Sequence, residues 1–303
     1  MVNQVAILGA GLMGSAIASV FAAGGHTVTV HDPVAESLDA LPAKVRQAAA
    51  DVGADGEALL STITACPTLG KAVAKADLVI EAVPEKLALK QAVFAEVEVA
   101  APAGCLFASN TSVLPITEIM GALTDKRRAL GTHWWNPPHM IPLVEVIATA
   151  WTAPDAIDTV MAVLAALGKA PVRVNKDVPG FIGNRLQHAL WREAISLVES
   201  GVCDAEAVDT VVKESFGRRL AVLGPLENAD LVGTDLTLDI HATVLAHLEA
   251  RPGPSPLLEQ LVKDGALGMK TGKGFRTWTQ EESAATRQRL ATHLSRLPRI
   301  LDP

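Results

Sequence analysis

A histidine and a glutamate lie close enough along the chain to form an acid–base pair. His133 ends one apolar, strand-like run, and Glu145 lies within the next one. The residues between them are enough for the chain to loop out and return. A carboxylate that holds the Nδ1 proton of an imidazole fixes its tautomer, and Nε2 can then take a proton from a substrate hydroxyl. A purely structural histidine, with the glutamate paired to an arginine, is the alternative for these two residues alone.

A glycine-rich segment at the start of the chain has the pattern of a dinucleotide-binding turn. The run at 6–16 reads Ala-Ile-Leu-Gly-Ala-Gly-Leu-Met-Gly-Ser-Ala, and an aspartate closes the next apolar run. The first glycine permits the strand-to-helix turn, the second lets the backbone approach a pyrophosphate at the helix N-terminus, and the third allows close helix packing. The predicted cofactor-binding residues here are Gly9, Gly11, Leu12, Met13, Gly14 and Asp32.

The residue types present narrow the cofactor and exclude a class of enzyme. Asp32 is expected to bind the ribose 2′-hydroxyl and to repel a 2′-phosphate, and no arginine directly follows it, so NAD is favoured over NADP. The chain has no tyrosine, which excludes short-chain dehydrogenases that use a tyrosine with a nearby lysine. Its three cysteines are scattered, which disfavours zinc alcohol dehydrogenases and a disulfide framework. We therefore expect no metal.

Composition predicts a soluble, globular protein. The 303 residues are 49% hydrophobic and 19% charged, and the formal net charge is −7. This length suits about two domains, and the acidic balance argues against nucleic acid or an anionic membrane as the main partner. We find no N-terminal targeting signal and no apolar stretch long enough to span a membrane. The expected location is the cytoplasm.

Apolar runs alternate with helical patterns over the first part of the chain, as is typical of a parallel sheet covered by helices. After residue 178 the spacing becomes helical, with a helix at 181–200, a second one capped by Asp204, and a solvated helix and tail at 287–303. We therefore predict an α/β fold, with a Rossmann-type doubly wound sheet at 1–178 and an all-helical domain at 179–303. The predicted strands are Val5–Leu8, Thr27–His31, Leu78–Glu81, Cys105–Ala108, Leu130–Thr132, Leu143–Ile147 and Pro171–Val174.

Further motifs in a fixed order give the chain a resemblance to a known family. They are Ile80-Glu81-Ala82-Val83-Pro84-Glu85 with Lys90, Asn110-Thr111-Ser112, His133-x-x-Asn136-Pro137, Leu143-Val144-Glu145, Pro179-Gly180-Phe181 through Asn184-Arg185, Gly224-Pro225, Pro254 to Leu258 and Gly268 to Phe275. With the glycine motif, they extend from residue 4 to about residue 278. In these motifs the chain resembles the 3-hydroxyacyl-CoA dehydrogenase family, which implies hydride transfer between C3 of a 3-hydroxy acid derivative and NAD.

The resemblance also implies roles for single residues and a homodimer. It makes His133 the general acid and base and Glu145 its orienting partner. Ser112 and Asn184 would hydrogen-bond the reacting oxygen, where charge develops. Family members commonly dimerise through the helical domain, and the apolar segments 220–223 and 236–248 could form that interface. On the cofactor side, the resemblance implies Asp32 at the adenosine ribose, Glu85 and Lys90 at the nicotinamide, and Asn110 as a further contact.

The motifs leave open whether the substrate carries CoA. Acyl-CoA members typically have two phenylalanines after the histidine and a longer helical excursion after the second strand, with basic residues that help to hold CoA. Here Trp134 and Trp135 follow the histidine, and the shortened excursion has only Lys44 and Arg46 as basic residues before Lys71.

The Asn-Pro-Pro segment and the Pro-Leu-Val-Glu run look closer to L-gulonate 3-dehydrogenase and carnitine dehydrogenase. Arg218 and Arg219 could hold a free carboxylate, or could be surface residues. The segments 254–258 and 268–275, in contrast, are characteristic of the acyl-CoA branch. We therefore expect oxidation of an L-3-hydroxyacyl-CoA in fatty acid metabolism, with a small CoA-free hydroxy acid as the alternative.

Two other interpretations use the same kind of fold. The β-hydroxyacid dehydrogenases related to 6-phosphogluconate dehydrogenase rely on a lysine four residues before an asparagine, but here Gly180 lies four residues before Asn184. A non-catalytic relative, such as a lens crystallin, would keep the fold and lose the active-site set. Ser112, His133 and Glu145 are all retained, which favours an enzyme.

Overall fold

One eight-stranded sheet organises the first part of the chain in the computed structural model, which describes residues 2–301, with side chains as far as residue 297. Its strands are β1 (Gln4–Leu8), β2 (Thr27–His31), β3 (Ile63–Cys66), β4 (Leu78–Glu81), β5 (Leu106–Ser109), β6 (Ala129–Trp134), β7 (Leu143–Ile147) and β8 (Ala170–Val174). Their order in the sheet is β3-β2-β1-β4-β5-β6-β7-β8. The order reverses between β1 and β4, which is where doubly wound sheets bind dinucleotides.

Helices cover both faces of this sheet. They are α1 (Leu12–Ala23), α2 (Ala35–Asp39), α3 (Leu41–Val52), α4 (Gly56–Leu60), α5 (Leu69–Val73), α6 (Leu87–Ala100), α7 (Ile116–Met120) and α8 (Pro154–Ala166). One core contains Phe21 of α1 and Val160 of α8, and the other contains Phe94 of α6 and Ile119 of α7. Because both faces are covered, central strands such as β4 are buried along their whole length, which explains their continuous apolar sequences.

The predicted α/β fold with its Rossmann-type sheet is confirmed, and the seven predicted strands are present with small shifts of their ends. The eighth strand, β3, was not predicted, because an edge strand with no buried residue has no continuous apolar pattern. The predicted helix at 181–200 begins only at Gly183, since Phe181 has a φ of 50° that no helix allows. Asp204 accepts a hydrogen bond from the Ala207 N–H, as expected of an N-cap.

The last two strands of the sheet, β7 and β8, run opposite to the other six. β7 pairs antiparallel with β6, because the loop 135–142 is too short for the crossover that a parallel pair needs. The chain instead returns as a hairpin, in which His133 lies directly opposite Glu145. The sheet is therefore mostly rather than wholly parallel, and the reversal brings the two candidate residues together.

Lys169 anchors the loop of this hairpin. Its Nζ donates to the carbonyl oxygen of Ile141 at 3.0 Å and also to that of Pro138. Burial lowers the pKa of Lys169 to about 8. The ammonium form therefore still prevails at neutral pH, where it holds two carbonyl groups of the segment between His133 and Glu145.

A helical unit follows from Leu186 onwards, while the sheet unit extends to Arg185. The helices of the helical unit are α9 (Gly183–Glu199), α10 (Ala205–Glu214), α11 (Pro225–Val232), α12 (Thr234–Val244), α13 (Pro256–Lys263) and α14 (Gln280–Leu301). The first residues of α9 belong to the sheet unit. The predicted C-terminal helix and tail correspond to α14, although residues 302–303 lie outside the described residues. Within residues 2–301, no helix is long and apolar enough to cross a membrane, and no group of three side chains could hold a metal ion.

Candidate active site

His133 and Glu145 form a buried hydrogen-bonded pair. The Nδ1–H of His133 donates to Oε2 of Glu145 at 2.7 Å, and the two residues are only 3% and 1% exposed. Because a carboxylate can only accept hydrogen bonds, Nδ1 carries a proton, and a ring with that single proton keeps the lone pair of Nε2. Nε2 makes no hydrogen bond to any residue that the structure describes. This arrangement suits a general base that a carboxylate orients.

Backbone N–H groups hold the second oxygen of Glu145. Its Oε1 accepts from the N–H of Ile182 at 2.8 Å and from that of Gly183 at 3.0 Å. The chain reaches this point through a turn in which Gly180 and Phe181 both have a positive φ, and successive N–H groups at a turn can converge on one anion. Burial raises the pKa of Glu145, but the hydrogen bonds from His133, Gly183 and Ile182 outweigh it and leave the pKa below its ordinary value.

Ser112 and Asn184 lie next to each other. The Asn184 side-chain amide donates to the carbonyl oxygen of Ser112 at 2.8 Å, and the Ser112 N–H donates to Glu85 at 2.9 Å. Within the described residues, the Ser112 hydroxyl makes no hydrogen bond, and a second amide hydrogen of Asn184 is unused. Asn110 accepts from the Trp134 N–H at 3.0 Å and so links the ends of β5 and β6. Two side-chain donors thus remain for a ligand near the backbone that holds Glu145.

Glu85 organises the loop that carries Ser112. Its carboxylate accepts from the Thr111 hydroxyl at 2.6 Å and from the N–H groups of Ser112 and Val113. Burial raises the pKa of Glu85, but the hydrogen bond from Thr111 and the nearby Lys90 ammonium outweigh it, and the pKa lies below its ordinary value. The side chain is still 35% exposed, so it can also face a ligand.

Lys90 has no such exposure. Its Nζ lies 2.7 Å from Oε1 of Glu81 and 3.1 Å from Oε2 of Glu85, and the side chains of Lys90 and Glu81 are both 0% exposed. Glu81 also accepts from the Ser109 hydroxyl at 2.5 Å. Burial raises the pKa of Glu81, while Lys90 and Ser109 oppose that rise. Sequence analysis missed the part played by Glu81, although a glutamate that ends an apolar strand was a usable signal.

The glycine turn has the shape that a dinucleotide requires. Gly9 has a φ of 108°, and a Cβ there would lie 2.6 Å from the Ala82 carbonyl oxygen. A Cβ on Gly14 would lie 1.8 Å from the Gly9 carbonyl oxygen, whereas one on Gly11 would meet nothing within 4 Å. Helix α1 has no side-chain cap at its N-terminus, so the first N–H groups remain for an anion such as a pyrophosphate.

Asp32 stabilises this turn from the end of β2. Its Oδ2 accepts from the Ala10 N–H at 2.8 Å, and its Oδ1 accepts from the Val34 N–H at 2.9 Å. A carboxylate offers about four lone-pair positions, so both oxygens can accept further hydrogen bonds from ribose hydroxyls. Leu12 is 68% exposed at the start of α1, which leaves the approach to the turn open. These residues fit the NAD that the sequence predicts.

Three of the four basic residues considered for substrate binding, Lys44, Arg46 and Arg218, are engaged elsewhere. Lys44 donates to the Ala10 carbonyl oxygen at 2.6 Å, and Arg46 pairs with Glu57 at 2.6 Å. In the helical unit, Arg218 pairs with Glu214 at 2.7 Å, and its side chain is 67% exposed. The geometry therefore favours a surface position for Arg218 over a carboxylate clamp.

Comparison with known proteins identifies the family. The NAD-binding domain model of 3-hydroxyacyl-CoA dehydrogenase matches residues 4–178, and the C-terminal domain model matches residues 180–278. The 5-formyl-3-hydroxy-2-methylpyridine 4-carboxylate 5-dehydrogenase of Mesorhizobium japonicum is 36% identical over 100% of this chain and 99% of its own length. The L-carnitine dehydrogenase of Streptomyces griseus is 38% identical over 84% of this chain and 75% of its own.

Two further matches agree with this result. The mitochondrial hydroxyacyl-coenzyme A dehydrogenase of Homo sapiens is 38% identical over 91% of each chain. The crystal structure of a 5-formyl-3-hydroxy-2-methylpyridine 4-carboxylic acid 5-dehydrogenase, an NAD+-dependent dismutase, matches with a TM-score of 0.91 and 34% identity, over 99% of both chains. The chain therefore belongs to the 3-hydroxyacyl-CoA dehydrogenase family and is an NAD-dependent dehydrogenase.

Proposed function

We propose that this enzyme oxidises a carbon that carries a hydrogen and a hydroxyl group, in a small substrate without CoA. The observation that carries the chemistry is the buried His133–Glu145 pair, whose only uncommitted ring nitrogen is Nε2. A pair held this firmly can take a proton without reorganising. The substrate class is argued separately below.

Each site residue has a role in this proposal. Bound NAD supplies the hydride acceptor. His133 takes the hydroxyl proton at Nε2, and the ionised Glu145 stabilises the resulting imidazolium. The Ser112 hydroxyl and the Asn184 amide donate hydrogen bonds to the reacting oxygen as its charge changes. In the reverse direction, His133 returns the proton to that oxygen.

The cofactor would be held at the carboxyl ends of β1, β2 and β4. In this proposal Gly9, Gly11, Leu12, Met13 and Gly14 bind its pyrophosphate side, and Asp32 binds the adenosine ribose. Glu85 faces the nicotinamide ribose or ring, while the enclosed Lys90 holds Glu85 in place, and Asn110 supports the adjoining backbone. Residues 1–178 would thus bind the cofactor, and residues 179–303 would contribute to substrate binding and dimerisation.

Two observations support a substrate without CoA. The Mesorhizobium relative matches the chain along its whole length, and its name describes a formyl group on a small pyridine carboxylate. A hydrated formyl carbon carries a hydrogen and a hydroxyl group, so the same proton transfer to His133 would apply. In addition, Lys44 and Arg46, the basic residues of the short excursion, already bind Ala10 and Glu57.

An L-3-hydroxyacyl-CoA is the second candidate. The family models that match both parts of the chain carry this description, and the human relative acts on hydroxyacyl-coenzyme A by its name. A role in fatty acid metabolism belongs to this candidate alone. The catalytic roles of His133 and Glu145 are the same for both candidates, because both substrates present a hydroxyl group on the reacting carbon.

A panel of substrates distinguishes the CoA-free substrate from the L-3-hydroxyacyl-CoA. We expect kcat/KM for at least one of 3-hydroxybutyrate, L-gulonate, L-carnitine and 5-formyl-3-hydroxy-2-methylpyridine 4-carboxylate to exceed that for L-3-hydroxybutyryl-CoA by about tenfold or more. NADH formation measures each rate. A thioester that outperforms all four compounds by about tenfold would contradict the CoA-free proposal and favour the second candidate. Arg46→Ala is a matched control, because only a CoA phosphate bound there would make thioester oxidation sensitive to it.

We also propose that two chains associate through the helical unit. None of the helices α9 to α13 contains a buried residue. Val222, Leu226, Leu231 and Leu238 are 75%, 80%, 74% and 68% exposed, and apolar surface of this extent marks an interaction site. Sedimentation equilibrium should give twice the chain mass, whereas a single-chain mass at all concentrations would contradict the dimer. The three free cysteines support a reducing compartment, such as the cytoplasm.

A further inference from the structure

Trp135 contacts the candidate base directly. Its ring centroid lies 5.3 Å from that of His133, with the two planes at 52°. The Phe181 ring contacts the same imidazole at 5.6 Å. The two aromatic rings help to explain why His133 is almost enclosed, and Trp135 is the one that retains some exposure.

The backbone that holds Glu145 is fitted to this indole. A Cβ added to Gly183 would lie 2.4 Å from Cζ2 of Trp135 and 3.2 Å from its Cε2. The Gly183 N–H is one of the two that bind Glu145. Any side chain at Gly183 would therefore displace either the indole or the N–H donor, so the positions of Trp135 and the acid–base pair depend on each other.

The indole also carries a donor that no residue satisfies. Its Nε1 is buried and finds no acceptor among the residues that the structure describes. Trp134 and Trp151 share this property, but only the Trp135 indole lies against His133 and Gly183. A buried N–H that lacks an acceptor favours any ligand that brings one to it.

We propose that Trp135 is a specificity-determining residue that selects planar aromatic carboxylates as substrates. This inference rests on the proposed function, in which the substrate is small and carries no CoA. An indole face stacks on a planar ring, whereas a flexible aliphatic chain gains less from it. The indole N–H can donate to a carboxylate or a ring hydroxyl group. Both contacts would lie beside the reacting carbon, because Trp135 touches the residue that takes its proton.

The test measures binding, so it does not depend on identifying the substrate. Pyridine-4-carboxylate and butanoate are titrated calorimetrically into the enzyme–NADH complex. We expect the aromatic acid to bind about fivefold more tightly to the wild type, since stacking on the indole is worth about that factor and both acids bring a carboxylate to the N–H. Trp135→Phe keeps a ring and loses the donor, so both affinities should fall about threefold while the preference remains. Trp135→Leu should abolish the preference.

Trp151→Phe is the matched control, because it removes another unpaired indole N–H from a tryptophan that contacts Lys126. It should leave both affinities unchanged. Equal wild-type affinities for the two acids, or a preference that survives in Trp135→Leu, would overturn the inference. The substrate panel decides the proposed function by turnover, so failure of one proposal is distinguishable from failure of the other.

Discussion

Replacing His133 with alanine is expected to lower kcat by about 10²–10⁴, the usual contribution of a positioned acid or base. The imidazole is the only side chain that Glu145 orients, and its Nε2 has no other hydrogen bond within the described residues. Without it, the hydroxyl proton must leave to water. The affinity for NAD should stay within about threefold of the wild type, because the glycine turn does not involve His133. NADH formation at saturating substrate measures the loss.

The matched control for this variant is His139→Ala. His139 lies in the same hairpin loop, but its Nε2 pairs with Asp51 at 2.9 Å, away from the proposed proton transfer. The His139→Ala variant should therefore have a kcat within about threefold of the wild-type value. If His133→Ala turned over as well as His139→Ala, another residue would have to be the base.

Replacing Glu145 with glutamine is expected to lower kcat by a similar factor, about 10²–10⁴. Both oxygens of the carboxylate accept hydrogen bonds, one from His133 and the other from the N–H groups of Ile182 and Gly183. Glutamine has one oxygen and one NH2 group, so it cannot accept hydrogen bonds from His133 and from the backbone at the same time. If its oxygen faces the backbone, the NH2 faces Nδ1 and forces the proton onto Nε2, where the base must be free. If the glutamine oxygen faces His133 instead, its NH2 group faces the N–H donors of Ile182 and Gly183.

The stability of this variant should depend on pH in a definite direction. The pKa of Glu145 in the folded protein lies below the ordinary value of 4.5. Its ionised form therefore stabilises the fold above that pH, and the contribution is lost as the pH falls through the folded pKa. Urea unfolding should show Glu145→Gln to be less stable than the wild type at pH 7, with a difference that shrinks in acid. A difference that grows in acid would contradict the assigned shift.

The sequence was sufficient to predict the elements that carry strong local patterns. The glycine turn with α1, and the runs that became β6 and β7, follow from glycine positions and apolar periodicity. The spacing of His133 and Glu145 also allowed their contact, although the antiparallel register that places them opposite each other depends on the short loop 135–142. For Ser112 and Asn184, the residue types alone would have indicated turn or cap positions, and only the family resemblance singled them out.

Other parts of the site have no signature in the sequence. Ile182 and Gly183 act through their backbone N–H groups, which any residue other than proline possesses. Their orientation depends on the left-handed Phe181, and a phenylalanine does not predict that conformation. Likewise, Lys90 was expected at the nicotinamide, but its complete burial between Glu81 and Glu85 depends on tertiary packing.

The most direct test of the account is the rate of the first NADH-forming turnover. Enzyme saturated with NAD is mixed by stopped flow with the best substrate of the panel, for the wild type and for Glu145→Gln. If the oriented pair takes the proton as hydride leaves, the first-turnover rate should fall by about 10²-fold or more in the variant. A first turnover as fast as that of the wild type, with only later turnovers slowed, would contradict the role of the His133–Glu145 pair.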